Sequence, residues 1–223
     1  MSNILIVAEQ QSGALKKATL HALGAGKELA KRTGGALHVV VLGDKVAALA
    51  EELKGYGQVH VAEAPALAHY LAEAYAPVVA EVAKAAQATY VGAAATAFGK
   101  DLLPRVAAKL GAAMATEVLG FGGSAGAVTF QRPMWAGNVL AEVELVTPVK
   151  VFTVRATEFA PAKPEGAGAV TPVPVSVDAG KLHTRFVEFK EVKSARPELT
   201  EARVVVAGIS GAIQHLAGMK GSK

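Results

Sequence analysis

Apolar residues along this chain alternate between short unbroken runs and helical spacing, and the alternation repeats. Residues 4–7, ILIV, form an apolar run bounded by polar positions, the pattern of a strand buried on both faces. From Lys16 to Lys31 leucines recur at helical intervals among alanines, and Gly34 and Gly35 close the element. Residues 37–42 predict a second buried strand, 46–53 a second helix ended by Gly55, and 59–61 a third strand. Residues 66–75 and 78–86 read as helical, with Pro77 opening the second piece where a missing N–H costs little. Residues 89–91 predict a fourth strand and 101–110 the helix behind it. Strand and helix thus alternate four times, which predicts parallel βαβ units.

The pattern then changes. Residues 117–121, 127–131, 138–146 and 149–154 are strand-like and separated by Gly- or Pro-containing turns, as in antiparallel hairpins added to a parallel sheet. After Arg155 the chain runs "ATEFAPAKPEGAGAVTPVPVSVDAG", whose X-Pro steps disfavour helix and predict an extended connector. "HTRFVEFKEV" alternates like a strand. "RPELTEARVVV" reads as a turn entering another strand, with "GISGAIQHLAGM" as the start of a helix. The fold class expected is α/β, Rossmann-like, with a mostly parallel sheet, added antiparallel hairpin strands and a small second unit.

Composition narrows the chemistry. The 223 residues are 52% hydrophobic and 19% charged, as in a globular chain with a real core rather than a disordered one. The net charge of +4 is carried by scattered lysines and arginines, so no nucleic-acid footprint is expected. The absence of cysteine excludes disulfides, thiolate metal sites and cysteine nucleophiles. The six histidines lack zinc-binding spacing, and no metal site is expected. "MSNILIVAEQ" reads as a first strand, and no uncharged apolar run approaches the ~18 residues that span a bilayer. A cytoplasmic protein not embedded in a membrane is expected.

A parallel sheet invites a nucleotide-binding reading, and the motifs do not supply one. The first strand is followed by "AEQQSG" rather than G-x-G-x-x-G, and neither "GAGKE" nor "FGKDL" completes a phosphate loop. Thr96, Lys100 and Arg105 follow the fourth strand, where an anion would bind. The alternative is a helix start, with Asp101 matched to its positive end. Trp135, the only tryptophan, lies beside Arg132 in a Pro-Gly-Asn turn. It reads either as an interface anchor or as a hairpin tip folded onto its own domain. In "GISGAIQHLAG", Ser210 stands near an N-cap whose free N–H groups suit an electron-rich ligand, with His215 one turn on; the alternative is a purely structural helix start. No general base, metal cluster or activated nucleophile is discernible, so no catalytic residue is assigned.

The stretches "ILIVAEQ", "GKDLLPRVAAKLGA", "QRPMWAGNVLAEVE", "RPELTEARVVV" and "GISGAIQHLAGMK" together resemble the alpha subunit of electron transfer flavoproteins. The resemblance runs over nearly the whole chain. It implies a heterodimer with a beta subunit and one FAD. Electrons would pass from acyl-CoA and other dehydrogenases, as in fatty acid β-oxidation, to a quinone oxidoreductase at the membrane. Such a protein is an electron carrier, not an enzyme converting a substrate. It further implies an N-terminal α/β domain over 1–155 packed against the beta subunit, a connector over 156–180, and part of an FAD-binding domain over 181–223. By the motif match Ser210, Gly211, Ala212, Ile213, Gln214 and His215 correspond to the family's FAD-contacting stretch.

One departure accompanies the match. "VVV" runs directly into "AGISGAIQHLAGMK", without the Gly-Gly-Arg-Gly turn, the Ser-Arg pair and the Gln-Thr-Gly-Lys loop that the family places between them. The expectation is an FAD domain that is internally deleted and cut short, with FAD binding weak or absent. Two other readings stay open: a beta-subunit-binding module without cofactor or redox activity, and an independent nucleotide-binding enzyme.

Overall fold

A computed structural model describes residues 2–124, 126–190 and 204–205. Met1–Phe186 form one unit, and the chain from Val187 onward belongs to a second. In the first unit the strands are β1 (Asn3–Ala8), β2 (Gln10–Gln11), β3 (Ala14–Leu15), β4 (Leu37–Gly43), β5 (Gln58–Glu63) and β6 (Ala88–Ala94). They continue with β7 (Ala113–Val118), β8 (Gly120–Ser124), β9 (Ala127–Met134), β10 (Val139–Glu144), β11 (Lys150–Val154) and β12 (Val170–Pro172). Four helices lie between them: α1 (Lys17–Thr33), α2 (Ala47–Leu53), α3 (Ala72–Ala85) and α4 (Ala97–Leu110).

Seven strands form one sheet in the order β12-β5-β4-β1-β6-β11-β7, and each neighbouring pair in it is parallel. The expected α/β class with its added antiparallel strands is the one observed. The apolar runs that mark β1 and β4 have a direct cause: successive side chains point to opposite faces, and both faces are covered. Ile4, Ile6, Val39 and Val41 enter a core with α1 and α2, while Leu5, Val7, Val40 and Leu42 enter one with α3 and α4. Each fully buried side chain of this size contributes roughly 1.5–3 kcal/mol.

A second sheet, β10-β9-β8, is antiparallel. Its base is sealed to the first core by an aromatic cluster. Phe121 of β8 packs at 5.8 Å from Phe130, 5.7 Å from Phe152 and 5.5 Å from Phe159, measured between ring centroids.

Four elements differ from the sequence reading. Residues 149–154, read with the antiparallel hairpins, form β11, which lies parallel between β6 and β7 in the main sheet. Residues 117–121 were expected as one strand; Glu117 instead takes φ +56° and a bulge separates Phe152 from Val154, so β7 ends the parallel sheet and β8 begins the hairpin sheet. The buried Thr153 Oγ1 accepts the Glu117 N–H at 3.1 Å, which satisfies the backbone at that irregularity. Residues 66–75 are not one helix: Pro65–Leu67 is a short 3-10 turn, and α3 starts at Ala72 and runs on through Pro77. Residues 183–190 form no strand, while 191 and 192 lie outside the described residues.

The stretch after Phe159 is laid along the domain on glycine seats. Ala162 donates to the Leu20 carbonyl of α1 at 2.8 Å, and a Cβ on Gly24 would overlap the Ala160 carbonyl oxygen. Lys27 donates to the Lys163 carbonyl at 2.5 Å and pairs with Glu165 at 3.1 Å. The segment ends as β12 on the edge of β5, a strand too short and proline-bound to be seen in the sequence. Val187 onward, as far as it is described, is exposed and in no helix or strand, with Lys190 pairing to Glu188 at 2.9 Å.

Gly24→Ala is expected to destabilise the domain by about 1–3 kcal/mol, the range for overpacking a close approach. Urea denaturation gives the magnitude. Hydrogen exchange over residues 159–166 should rise with it, because the displaced partner is that backbone.

Candidate functional site

All helices that follow strands of the parallel sheet begin at the strands' carboxyl ends, where an α/β sheet presents free N–H donors to a ligand. At α2 and α4 those positions are taken by the domain's own side chains. At the junction of β1, β4 and β6, Thr96 caps α4 by accepting the Gly99 N–H at 3.2 Å and donates to Glu9 Oε2 at 2.6 Å. Glu9 is fixed in turn by the buried Thr19, whose Oγ1 accepts the Glu9 N–H at 3.0 Å and donates to its carbonyl at 3.1 Å. Gln10 reaches across to the Leu42 carbonyl at 3.2 Å and accepts from Gly13 N at 3.0 Å, laying the β2–β3 hairpin beside the junction. At α2, Glu63 Oε2 accepts the N–H groups of Val46 and Ala47 at 2.8 and 2.9 Å.

The residues read from sequence as an anion site are placed accordingly. Thr96 is the helix cap. Lys100 pairs with Glu117 at 2.5 Å, and Glu117 also receives Arg155 at 3.2 Å. Arg105 is exposed, about two turns along α4. Asp101 accepts from Tyr70 Oη at 2.9 Å. Burial first, then that bond and the Asp101 charge, hold the Tyr70 hydroxyl far above its ordinary pKa and so neutral. The geometry supports the helix-start reading. A phosphate or the pyrophosphate of a flavin dinucleotide does not fit here, since carboxylates of Glu9 and Glu63 stand where it would need free donors and positive charge. Sequence reasoning missed Glu9, Thr19, Glu63 and Glu117; their partners lie far away in the chain, Thr96 being 87 residues from Glu9.

Among the described residues no group of three or more His, Cys, Asp or Glu is arranged to hold a metal ion. His38 Nδ1 and His60 Nε2 bond to each other at 3.0 Å across β4 and β5, and burial lowers both pKa values. No described helix is long and apolar enough to cross a membrane.

The second candidate surface is the antiparallel arm. Alternation along β9 puts Val128, Phe130, Arg132 and Met134 on one face, opposite Val143, Ala141 and Val139 of β10. The first half of that face is buried on the domain; the second half outruns it, leaving Met134 and Val139 exposed. Arg132 Nε is buried there without a hydrogen-bond partner. At the tip Trp135 is 79% exposed, and Leu140, paired with Pro133 on the arm's other face, 71%. Trp135, Ala136 and Gly137 are all left-handed, with φ of 51°, 56° and 89°. Such a conformation costs roughly 1–2 kcal/mol for each non-glycine residue. Asn138 holds the turn by donating from its side chain and backbone to the Trp135 carbonyl at 2.9 and 3.2 Å. Of the two readings of Trp135, the tip folded onto its own domain is not the one observed.

Residues 210–215, which the resemblance assigns to the flavin, lie outside the described residues. So does the strand expected through Val206, of which only Val204 and Val205 are described.

Fold and surfaces together define an α/β protein whose own side chains cap two of the helix starts at the strand ends and whose antiparallel arm is exposed and apolar at its tip. A model of the electron transfer flavoprotein domain matches residues 4–179. The chain belongs to the electron transfer flavoprotein family. It is 43% identical over 212 residues to the electron transfer flavoprotein subunit alpha of Pseudomonas aeruginosa, with 93% of this chain and 65% of that one covered. It is 35% identical over 214 residues to a probable mitochondrial alpha subunit of Caenorhabditis elegans, covering 95% of this chain and 62% of the relative. A mitochondrial alpha subunit of Dictyostelium discoideum is 33% identical over 225 residues, with 94% and 62% covered. The chain thus spans less than two thirds of these relatives' length.

Partial burial alone would raise the Glu117 pKa, but hydrogen bonds and charge from Lys100 and Arg155 outweigh it and hold the carboxyl below its usual value. A group lowered in this way contributes stability above its unfolded pKa and loses it as pH falls through the folded one. Glu117→Gln is expected to lower Tm at neutral pH, with the gap to the parent closing below about pH 4. Melting curves across that range check it; a gap that persists in acid removes the electrostatic account.

Proposed function

We propose that this chain acts as the alpha-subunit part of an electron transfer flavoprotein, an electron carrier rather than an enzyme converting a substrate. The observation that carries this reading is the antiparallel arm: an apolar face that outruns its own core, ending in Met134 and Val139, and a strained, exposed tryptophan at its tip. Exposed aromatic side chains are usual anchors of a protein interface. The partner proposed is an electron transfer flavoprotein beta subunit, which the arm engages with Trp135, Met134 and Val139. Electrons come from acyl-CoA and related dehydrogenases and leave to a quinone oxidoreductase at the membrane, in the cytoplasm.

The flavin is FAD, which carries the redox chemistry; the protein binds it and tunes its potential. Ser210, Gly211, Ala212, Ile213, Gln214 and His215 are the proposed contacts, and His215 would favour negative charge on the reduced ring. Since Glu63 takes the first N–H groups of α2 and Glu9 bonds the Thr96 cap of α4, those two helix starts offer no phosphate cradle, and the 223-residue chain by itself is proposed to bind FAD weakly or not at all. The same two carboxylates favour a second reading, a beta-subunit-docking module without redox activity.

Co-expression with a beta subunit separates the readings. A yellow complex with flavin absorbance supports the carrier, and a colourless complex the docking module; no complex overturns both. Trp135→Ala should weaken association about thirtyfold or more, the loss typical of a hot-spot aromatic. An unchanged affinity by calorimetry would remove the arm from the interface. Titrating free FAD against the chain alone should show no saturation in the micromolar range.

A further inference from the structure

The strand β12 leaves the sheet abruptly. Val173 N–H makes the last bond to β5, donating to the Val61 carbonyl at 2.8 Å, and Pro174 has no N–H to continue. From there the chain crosses to the face covered by α3 and α4. Val173, Val175 and Val177, alternating with exposed Pro174, Ser176 and Asp178, pack against that core, followed by Leu182. Asp178 caps a short turn by accepting Gly180 N at 3.0 Å.

The end of this strap is gripped at the start of α3. Glu73, in the first turn, has its carboxylate directed at the strap and accepts four hydrogen bonds from it. His183 N–H lies 3.1 and 3.0 Å from the two oxygens, and Thr184 contributes its N–H and its hydroxyl, each at 3.0 Å. Two residues on, Phe186 lies flat on the His69 ring, with centroids 3.6 Å apart and planes 6° from parallel. The His183 N–H foremost, against a smaller opposing effect of desolvation, holds the Glu73 carboxyl below its ordinary pKa. Apart from the valines and Leu182, nothing of this kind secures the strap elsewhere on that face among the described residues.

We propose that Glu73 and His69 form a releasable latch that sets where the chain leaves this domain. With the latch closed, the chain departs at Phe186. With it open, residues 183–186 join the chain that continues from Val187 while the valines and Leu182 stay seated, adding on the order of 13 Å of reach. The grip on these four residues is made of charge-assisted hydrogen bonds and one exposed ring pair rather than buried apolar surface, so it can open without unfolding the sheet. Glu73 is a positioning residue that acts on the strap, not on any ligand.

The test is hydrogen exchange and limited trypsin cleavage on the full chain. Glu73→Ala should speed exchange of the His183 and Thr184 amides, and cleavage after Arg185, at least about tenfold, the factor expected for losing charge-assisted hydrogen bonds. Exchange in β1, β4 and β6 should stay unchanged. Unaltered exchange at 183 and 184 overturns the proposal, and so does an acceleration spread through the whole domain. Phe186→Ala, which removes only the ring pair, should loosen the same two amides selectively. If it leaves them as protected as in the parent, the latch is refuted.

Discussion

A sheet whose seven strands all run the same way gathers the beginnings of its helices at one end. There the first backbone N–H groups of each helix have no partner within the helix, and their dipoles add. That concentration of unpaired donors has to be met, by a ligand or by the protein. Here the protein meets it: Thr96 and Glu9 at α4, Glu63 at α2, and Gln10 drawing the β2–β3 hairpin across. The geometry that makes related sheets into nucleotide sites is met at these two helix starts by the protein's own side chains.

With the starts of α2 and α4 capped from within, two further features stand at the margins of the domain. One margin is the arm of β8, β9 and β10, rooted in the Phe121–Phe130–Phe152–Phe159 cluster and exposed beyond it. The rigid root and the exposed tip belong together, because an anchor presented on a mobile hairpin would cost more to order on docking. The other margin is the strap, which follows glycine seats along α1, joins the sheet as β12 and passes onto α3. Neither feature disturbs the two cores, and the cores fix the positions of both.

Much of this was legible from local pattern. Unbroken apolar runs identified β1 and β4 because both sheet faces are buried, and the change of rhythm after Leu110 announced the antiparallel strands. What was not legible depends on partners distant in the chain. The split between β7 and β8 rests on Glu117 adopting a left-handed backbone with Thr153 beneath it, 36 residues away. The late start of α3 reflects Tyr75, whose hydroxyl reaches back to the Leu67 carbonyl at 2.8 Å and keeps residues 68–71 off the helix axis. At the candidate site, Thr96 was visible as a residue of interest, but its role was decided by Glu9, which no spacing rule connects to it. The family resemblance was carried by long motifs, of which those after residue 190 fall largely outside the described residues.

The prolines flanking β12 have an effect beyond shaping the strap. A parallel sheet ends in two lines of unsatisfied backbone groups, each a template on which another chain could stack. On one side β7 is shielded by the arm, where Leu119 N–H bonds to the Gln131 carbonyl at 2.8 Å. On the other, β12 spans only three residues and carries Pro172, with Pro174 just beyond, so little remains for an incoming strand to grip. This borderland keeps a domain rich in valine and alanine from polymerising through its own main chain.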